Sequence, residues 1–349
     1  MLLGFAITEH CNLRCPHCIR DDVTTVRNLD PDLILRTVDQ ARVLFGDVSV
    51  SMTGGEPTLH PQWERIIAGL HERGVAYGFV TNGWHMRRLM PALDRYPPAG
   101  VKLSLSGADE AVHDAERGRG SFRRVLMAMA LLTSRQIPAS LGMVVDRRDR
   151  HQLREAADLA EALGCVGLHF ALAQPVPGSA ARDSDLAPHE WYGARDEIFA
   201  LAREGRRTFV TVDYGTPSVG PVEMVCDTFE QRRVYVDARG RLSLCCQLSE
   251  YGENETDVVA DLNHTTLHEA WPLYTARLAA LQCASQELRD QGGETAAFPC
   301  IRCARALGKM EWVREYPGSP WHAAAGPIPT APPPRLVGLS YRGRTLRPA

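Results

Sequence analysis

No stretch of this chain is apolar for long enough to span a bilayer, and no signal peptide precedes Leu2, so neither a membrane span nor export is expected. Strong charge is missing too. A formal net charge of −3 over 349 residues supplies no basic surface for nucleic acid or for an anionic membrane. No internal repeat divides the sequence, which excludes solenoids and propellers. Histidines with metal-site spacing are absent: His60, His85 and His169 are isolated, and each reads as a core or solvated residue. What is present fits a globular enzyme, with 44% hydrophobic and 23% charged residues, enough for one large domain and a smaller one. Ten cysteines without an export signal read as metal ligands and free thiols, because the cytosol keeps thiols reduced. The cytoplasm is the expected compartment.

Short apolar runs rich in β-branched residues alternate with longer amphipathic stretches, the pattern of strand–helix units on a parallel sheet. Strands are expected at Leu2 to Thr8, Val48 to Met52, Val75 to Thr81, Val101 to Ser106, Ala139 to Val145 and Val166 to Leu172. Helices are expected at Asp32 to Leu44, Pro61 to Arg73 and His151 to Leu163, with Pro31 and Pro61 in first turns and Gly74 and Gly164 at C-caps.

Just after the first strand comes CNLRCPHC, with Cys11, Cys15 and Cys18. A four-iron cubane needs four ligands, so a loop offering three thiolates leaves one iron open to something other than protein. A zinc site is the competing reading. The spacing C-x3-C-x2-C resembles the signature of the radical S-adenosylmethionine (SAM) enzymes. That resemblance implies a partial, TIM-like (β/α)6 barrel of class α/β. It also implies a [4Fe-4S] cluster whose vacant iron chelates the methionine part of SAM, and reductive cleavage of SAM to a 5′-deoxyadenosyl radical that abstracts hydrogen from substrate. An electron donor such as flavodoxin or ferredoxin is then implied.

Ligand-binding residues of such barrels gather at the carboxyl ends of strands, and the remaining motifs fall there. Gly54, Gly55, Glu56 and Pro57 read TGGEP after the second strand and resemble the family's Gly-Gly-Glu-Pro motif, which holds the methionine amino group: glycines permit close backbone approach and a carboxylate accepts from an ammonium. Thr81, Asn82 and Gly83 follow the third strand in a form the family shows near SAM. The fourth strand ends in SLSG, and HDAERG follows it, similar to the family's S-x-[DS]-G and His-Asp-x-x-Arg-Gly segments. Ser104 and Arg117 are the residues this implies for the carboxylate and ribose of SAM, although Arg119, Arg123 and Arg124 crowd the same loop. Pro175, Pro177 and Gly178 resemble a Pro-x-Gly segment near the adenine.

A second set of cysteines begins at Cys226. Thirteen residues separate it from Gly240, and four more separate Gly240 from Cys245, within VYVDARGRLSLCC, which reads as a β-hairpin turning at Ala238 to Gly240. Leu267 and Trp271 follow, then Cys300 and Cys303 in FPCIRC. This order resembles the SPASM and twitch extensions, which hold auxiliary iron–sulfur clusters on a hairpin, a Leu-x-x-x-Trp helix and a closing C-x2-C. No cysteine follows Cys303, so the resemblance implies one auxiliary [4Fe-4S] cluster, held by Cys226, Cys245, Cys300 and Cys303, and two clusters in all. Four thiolates leave no vacant iron, which suits electron transfer. Cys246 rivals Cys245; adjacent strand residues face opposite ways, and the four-residue gap from Gly240 favours Cys245. A zinc ribbon is the alternative for this set.

Cys165 reads as a small buried hydrophobe. Cys283, placed at the end of the Trp271 helix, is a candidate ligand, a core residue, or a hydrogen donor to a substrate radical. The expected division is 1–180 for the barrel, 181–222 for a bridge (helical from His189 to Arg203, strand-like from Thr208 to Asp213), 223–315 for a small hairpin and helix iron–sulfur domain, and 316–349 for an extended Pro-rich tail. The implied reaction is radical modification of a peptide or natural-product intermediate. Dehydrogenation or decarboxylation of a sugar or antibiotic intermediate is the alternative, and a non-catalytic zinc protein the remote one. No peptide-recognition domain is expected ahead of the first strand, which lowers the peptide reading without excluding it.

Overall fold

The computed structural model describes residues 1–20, 26–212, 217, 226–249, 251 and 254–325. The boundary expected at 222/223 and the Pro-rich tail from 326 lie outside those residues. The first half alternates as expected: β1 (Leu2–Thr8), α1 (Pro31–Phe45), β2 (Ser49–Gly54), α2 (Trp63–Glu72), β3 (Ala76–Thr81), α3 (Met86–Arg95), β4 (Gly100–Leu105), α4 (Glu110–Arg117), α5 (Ser121–Thr133), β5 (Ala139–Val145), α6 (Leu153–Ala162) and β6 (Gly167–Leu172). There follow α7 (Pro177–Ala180), α8 (Pro188–Arg203), β7 (Phe209–Val212), β8 (Arg233–Val236), β9 (Arg241–Ser243), β10 (Val258–Asp261), α9 (Leu267–Asp290) and α10 (Pro299–Ala306).

Local chemistry explains the elements. Asp30 caps α1 by accepting from Asp32 N at 3.0 Å, Pro31 opens its first turn, and Leu33, Ile34, Val38 and Ala41 bury one face at helical spacing. Burying each of the Leu, Ile and Val side chains stabilises the fold by roughly 1.5–3 kcal/mol. α2 begins at Trp63, so Pro61 precedes the helix instead of sitting in its first turn. Gly74 and Gly164 do end their helices with φ of +62° and +72°.

Among the described residues ten strands form one open sheet in the order β10-β9-β8-β1-β2-β3-β4-β5-β6-β7. From β8 through β7 every neighbouring pair is parallel, and β9 and β10 add antiparallel. Beyond the six expected barrel strands, β7 and β8 extend the parallel sheet at its two edges, and the hairpin joins that sheet: β8 pairs with β1 from Leu2↔Arg233 to Phe5↔Val236. Strand side chains alternate, so Leu3, Phe5, Val50, Met52, Leu103, Leu141 and Phe170 enter the core, while Gly4, Ser51, Lys102, Ser104, Gly142, His169, Arg233 and Tyr235 line the lumen.

Packing continues past the expected end of the second domain. Trp321 is fully buried, donates from Nε1 to Leu186 O at 3.0 Å and meets Phe298 edge-on at 5.0 Å. Residues 316–325 therefore dock on the body, since an indole whose N–H finds a partner gains from burial. Among the described residues no helix is long and apolar enough to cross a membrane.

Candidate radical SAM site

A cavity of about 360 Å³ opens at the carboxyl ends of the parallel strands, and most of the residues singled out in the first half of the sequence meet there. Cys11, Cys15, Cys18, Gly54, Gly55, Glu56, Asn82, Ser104 and Arg117 all line it. The loop after β1 carries the three thiols. It is held by Glu9 N donating to Arg27 O at 2.8 Å, Leu29 N to Ile7 O at 2.9 Å, and Thr8 Oγ1 to Asn28 Oδ1 at 2.7 Å. Burial raises the pKa of Cys15 while the Arg117 guanidinium opposes it; Arg117 Nη1 lies 4.0 Å from the sulfur.

The TGGEP turn clamps that loop from the neighbouring strand. Gly55 N donates to Thr8 O at 2.8 Å and Glu56 N to His10 O at 2.7 Å. A Cβ on Gly55 would stand 2.5 Å from His10 C and 2.6 Å from Glu9 O, and Gly54 adopts φ of +128°. Only glycine lets the two backbones lie this close. Glu56 is buried, 1% exposed, and both its oxygens are engaged: Oε1 accepts from Thr58 N, Thr58 Oγ1 and Thr81 Oγ1, and Oε2 from Asn82 N at 2.7 Å. The carboxylate thus ties the ends of β2 and β3 together, a bracing function that the expectation of a simple ammonium acceptor did not include. Asn82 in turn donates to Asn12 Oδ1 of the cysteine loop at 2.9 Å. Pro57 does not line the cavity; it opens a short 3-10 turn that Glu56 caps.

The HDAERG segment divides by function. His113 is fully buried, its pKa pushed down to about 3 by burial, and its Nδ1 accepts from Ser106 N at 3.2 Å. Asp114 accepts from Phe122 N and Ser121 Oγ and so fixes the start of α5. Among the crowded arginines, Arg123 pairs with Glu110, Arg124 lies over the Trp84 ring, Arg119 is exposed, and Arg117 alone lines the cavity. Arg117 Nε donates to Ser106 Oγ at 2.7 Å, and its Nη2 lies 3.4 Å from His17 Nε2. Burial lowers the pKa of His17, so the neutral ring donates from Nδ1 to Glu116 Oε2 at 3.4 Å and accepts from Arg117. Burial works against the charge of Glu116, yet His17, Arg148 and Arg182 keep its pKa below the usual range.

The second cysteine set gathers elsewhere. Cys226 and Cys300 lie close enough to Cys245 to raise its pKa, after the larger effects of Cys246 and burial. Cys300 and Cys303 share a face of α10 at i, i+3 spacing. Among the described residues no three His, Cys, Asp or Glu side chains converge as a single ion requires.

Other residues fall differently from expectation. Cys165 is buried against Met129 as expected. α9 runs seven residues beyond Cys283, which is exposed and outside the cavity. Gly178 abuts Pro16 of the cysteine loop, with a Cβ position 2.6 Å from Pro16 O, and neither it nor Pro175 or Pro177 lines the cavity. His60 is a core residue, accepting from Gln62 N, but His169 faces the lumen with Lys102, Gln174 and Cys246. Polar residues inside an otherwise apolar strand were the available signal for Lys102 and His169.

The fold is an open, parallel α/β partial barrel with a three-thiol loop at its mouth. Residues 5–160 match the model of the Radical SAM superfamily, and over that part the chain is similar to that superfamily. It is 31% identical over 175 residues to the PqqA peptide cyclase of Ruegeria pomeroyi, covering 48% of this chain and 46% of that protein. To the AdoMet-dependent heme synthase of Methanosarcina barkeri it is 25% identical over 212 residues, 59% of each. The chain thus spans about half the length of the curated relatives it matches. The fold is similar to that of Streptococcus suis SuiB bound to S-adenosylmethionine, with a TM-score of 0.67 and 16% identity over 85% of this chain and 71% of that one. It also resembles anSMEcpe with bound AdoMet, with a TM-score of 0.67 and 16% identity over 87% and 89% of the chains.

Proposed function

We propose that this protein is a radical SAM oxidoreductase or maturase that reductively cleaves SAM and uses the 5′-deoxyadenosyl radical to take hydrogen from a peptide or natural-product intermediate. The observation that carries the reading is the convergence of Cys11, Cys15 and Cys18 with the Gly54–Gly55–Glu56 turn and Arg117 on one cavity. In this reading the loop thiols would hold a [4Fe-4S] cluster, which would supply the iron site for the methionine of SAM and the electron for its C–S cleavage. The chain's own groups do the positioning. Glu56 fixes the turn that presents backbone to the methionine, and Arg117, oriented by Ser106 and His17, supplies a cation for the SAM carboxylate.

Cys226, Cys245, Cys300 and Cys303 would hold the auxiliary cluster as a one-electron carrier. A peptide substrate is favoured by the names of two relatives: the PqqA peptide cyclase and SuiB, which was solved bound to the precursor peptide SuiA. A reduced flavodoxin or ferredoxin is the electron donor proposed.

Anaerobic reconstitution tests the reading. About eight irons per chain, with deoxyadenosine released only when SAM and dithionite are both supplied, is the expected result. Cys15→Ala should abolish release. Colourless protein containing zinc would refute the reading.

A further inference from the structure

We infer that the barrel lumen takes a carboxylate-bearing peptide, with Lys102 receiving the carboxylate and Gln174 an amide beside it. The inference rests on the radical SAM reading and deepens it by naming the substrate class. Charge is spread unevenly over the cavity. Arg20, Lys102, Arg117 and Arg233 all line it, whereas Glu56 is the only carboxylate among the described lining residues. The oxygens of Glu56 already accept from Thr58, Thr81 and Asn82. Two of the cations face sulfur: Arg117 Nη1 lies 4.0 Å from Cys15 Sγ, and Arg233 Nη1 lies 3.8 Å from Cys246 Sγ. Lys102 stands apart from both, on β4. SAM does not supply the balancing charge, since it carries a sulfonium and an ammonium against one carboxylate.

Lys102 also lies deeper than the groups assigned to SAM. It precedes Ser104 by two residues on β4, which sets its backbone about 6.6 Å further from the mouth. Its stem lies across β5, where a Cβ on Gly142 would stand 3.0 Å from Lys102 Cδ and 3.3 Å from Cγ, so glycine there makes the room. His169 is the register partner of Gly142 on β6, and its Nδ1 lies 3.3 Å from Thr211 Oγ1, which fixes the ring. The lysine stem and the imidazole therefore share one stretch of wall. A half-buried ammonium in such a cleft draws anions more strongly than one in open water, because field lines are focused between low-dielectric walls.

Gln174 supplies an independent observation. It follows β6, lines the same cavity and is 5% exposed, yet neither its carboxamide oxygen nor its nitrogen has a hydrogen-bond partner. Buried polar groups in folded proteins are nearly always paired, so both ends of this side chain call for a ligand. A peptide amide, with one donor and one acceptor, matches both ends. An ammonium for a carboxylate and a carboxamide for an amide together fit a peptide modified at or beside an Asp, a Glu or a free C-terminus better than they fit a neutral sugar.

The test uses full-length, anaerobically reconstituted protein with SAM bound, and measures affinities by saturation-transfer NMR. The probes are acetylated alanine peptides carrying a central glutamate with an amidated end, a central glutamine with an amidated end, or no acidic side chain and a free C-terminal carboxylate. At least one carboxylate peptide should bind about 10-fold tighter than the glutamine peptide, the worth of one charge-assisted hydrogen bond. Which of the two does so identifies the source of the carboxylate. Lys102→Met should erase the preference and Lys102→Arg should keep it, with iron content confirming that each variant is loaded. Gln174→Leu should weaken the preferred peptide several-fold and leave binding of free glutarate, which has no amide, unchanged. Equal affinities of wild-type protein for all three peptides overturn the inference without recourse to any variant, as does an undiminished preference in iron-loaded Lys102→Met. Glutarate binding as tightly as the preferred peptide overturns the peptide assignment. Failure of wild-type protein to release deoxyadenosine with SAM and dithionite overturns the radical SAM reading instead.

Discussion

Replacing Gly55 with alanine tests whether the cysteine loop depends on the turn beside it. The added methyl would lie 2.5 Å from His10 C and 2.6 Å from Glu9 O, with His10 O closer still. Ordinary carbon contacts are about 3.5–4.0 Å, so the backbone at residues 9–10 must retreat by roughly 1 Å. That segment immediately precedes Cys11. Its retreat also stretches the bonds from Gly55 N to Thr8 O and from Glu56 N to His10 O, together worth about 1–3 kcal/mol. A displacement of this size at a reacting centre costs on the order of 100-fold in rate. Iron and sulfide assays with deoxyadenosine quantification should therefore show loss of about four of about eight irons and a cleavage rate reduced by about that factor. Gly74→Ala is the control: its φ of +62° makes alanine strained by about 1–2 kcal/mol, but nothing lies within 4 Å of the new Cβ, and the iron should stay. Full iron and wild-type cleavage in Gly55→Ala would refute the reasoning.

Other changes probe separate parts of the structure. Glu56→Gln leaves at least one of the Asn82 and Thr58 backbone N–H groups without an acceptor, whichever way the amide sits, and should lower stability by about 1–3 kcal/mol in chemical denaturation; an unchanged midpoint would contradict the brace. Cys300→Ala should lose about four irons and, with a substrate in hand, form no product, whereas full iron content would remove Cys300 from the ligand set. Asp185 is buried and its carboxyl has no hydrogen-bond partner, because Ser179 Oγ donates to Val176 O instead; burial raises its pKa to about 6. A raised carboxyl favours the folded state fully below about pH 4, and that contribution fades as pH rises through 6, leaving a cost of about 3 kcal/mol at neutral pH. Asp185→Asn should therefore stabilise the protein by about 2 kcal/mol at pH 7.5 and by much less at pH 4; equal effects at both values would show that ionisation of Asp185 is not the cause.

The parts of this fold legible in the sequence are those whose signal is local. β1 and β5 follow their apolar runs residue for residue, and the hairpin turn ends at Gly240, with φ of +81°. The cysteine and GGEP motifs were legible because spacing within one loop decides what can meet. Long-range placement was not. Nothing in VYVDARGRLSLCC states that its first strand pairs in parallel with β1, more than two hundred residues earlier in the chain. Strand alternation put Lys102 and His169 on the face opposite the buried core, but that this face encloses a lumen depends on barrel curvature, which no local pattern states. Trp321 lies beside a proline-rich composition that suggested an extended chain, but one indole with a partner for its N–H was enough to dock the segment.

The pairing of β8 with β1 joins the two cysteine sets mechanically. Unpaired, the β1 edge would expose a row of backbone donors and acceptors; β8 covers it, and the same hairpin carries Cys245 and Cys246. The strand that precedes the three-thiol loop is thus hydrogen-bonded to the strand that leads into the second set. Because the hairpin closes an edge of the barrel, a change that unseats it removes the cavity wall at Arg233, Tyr235 and Cys246 together with the support of β1. Substitutions at the second set should therefore be read against the first-loop iron content as well as their own. A variant that loses only the auxiliary irons reports on ligation, and one that loses both has broken the sheet.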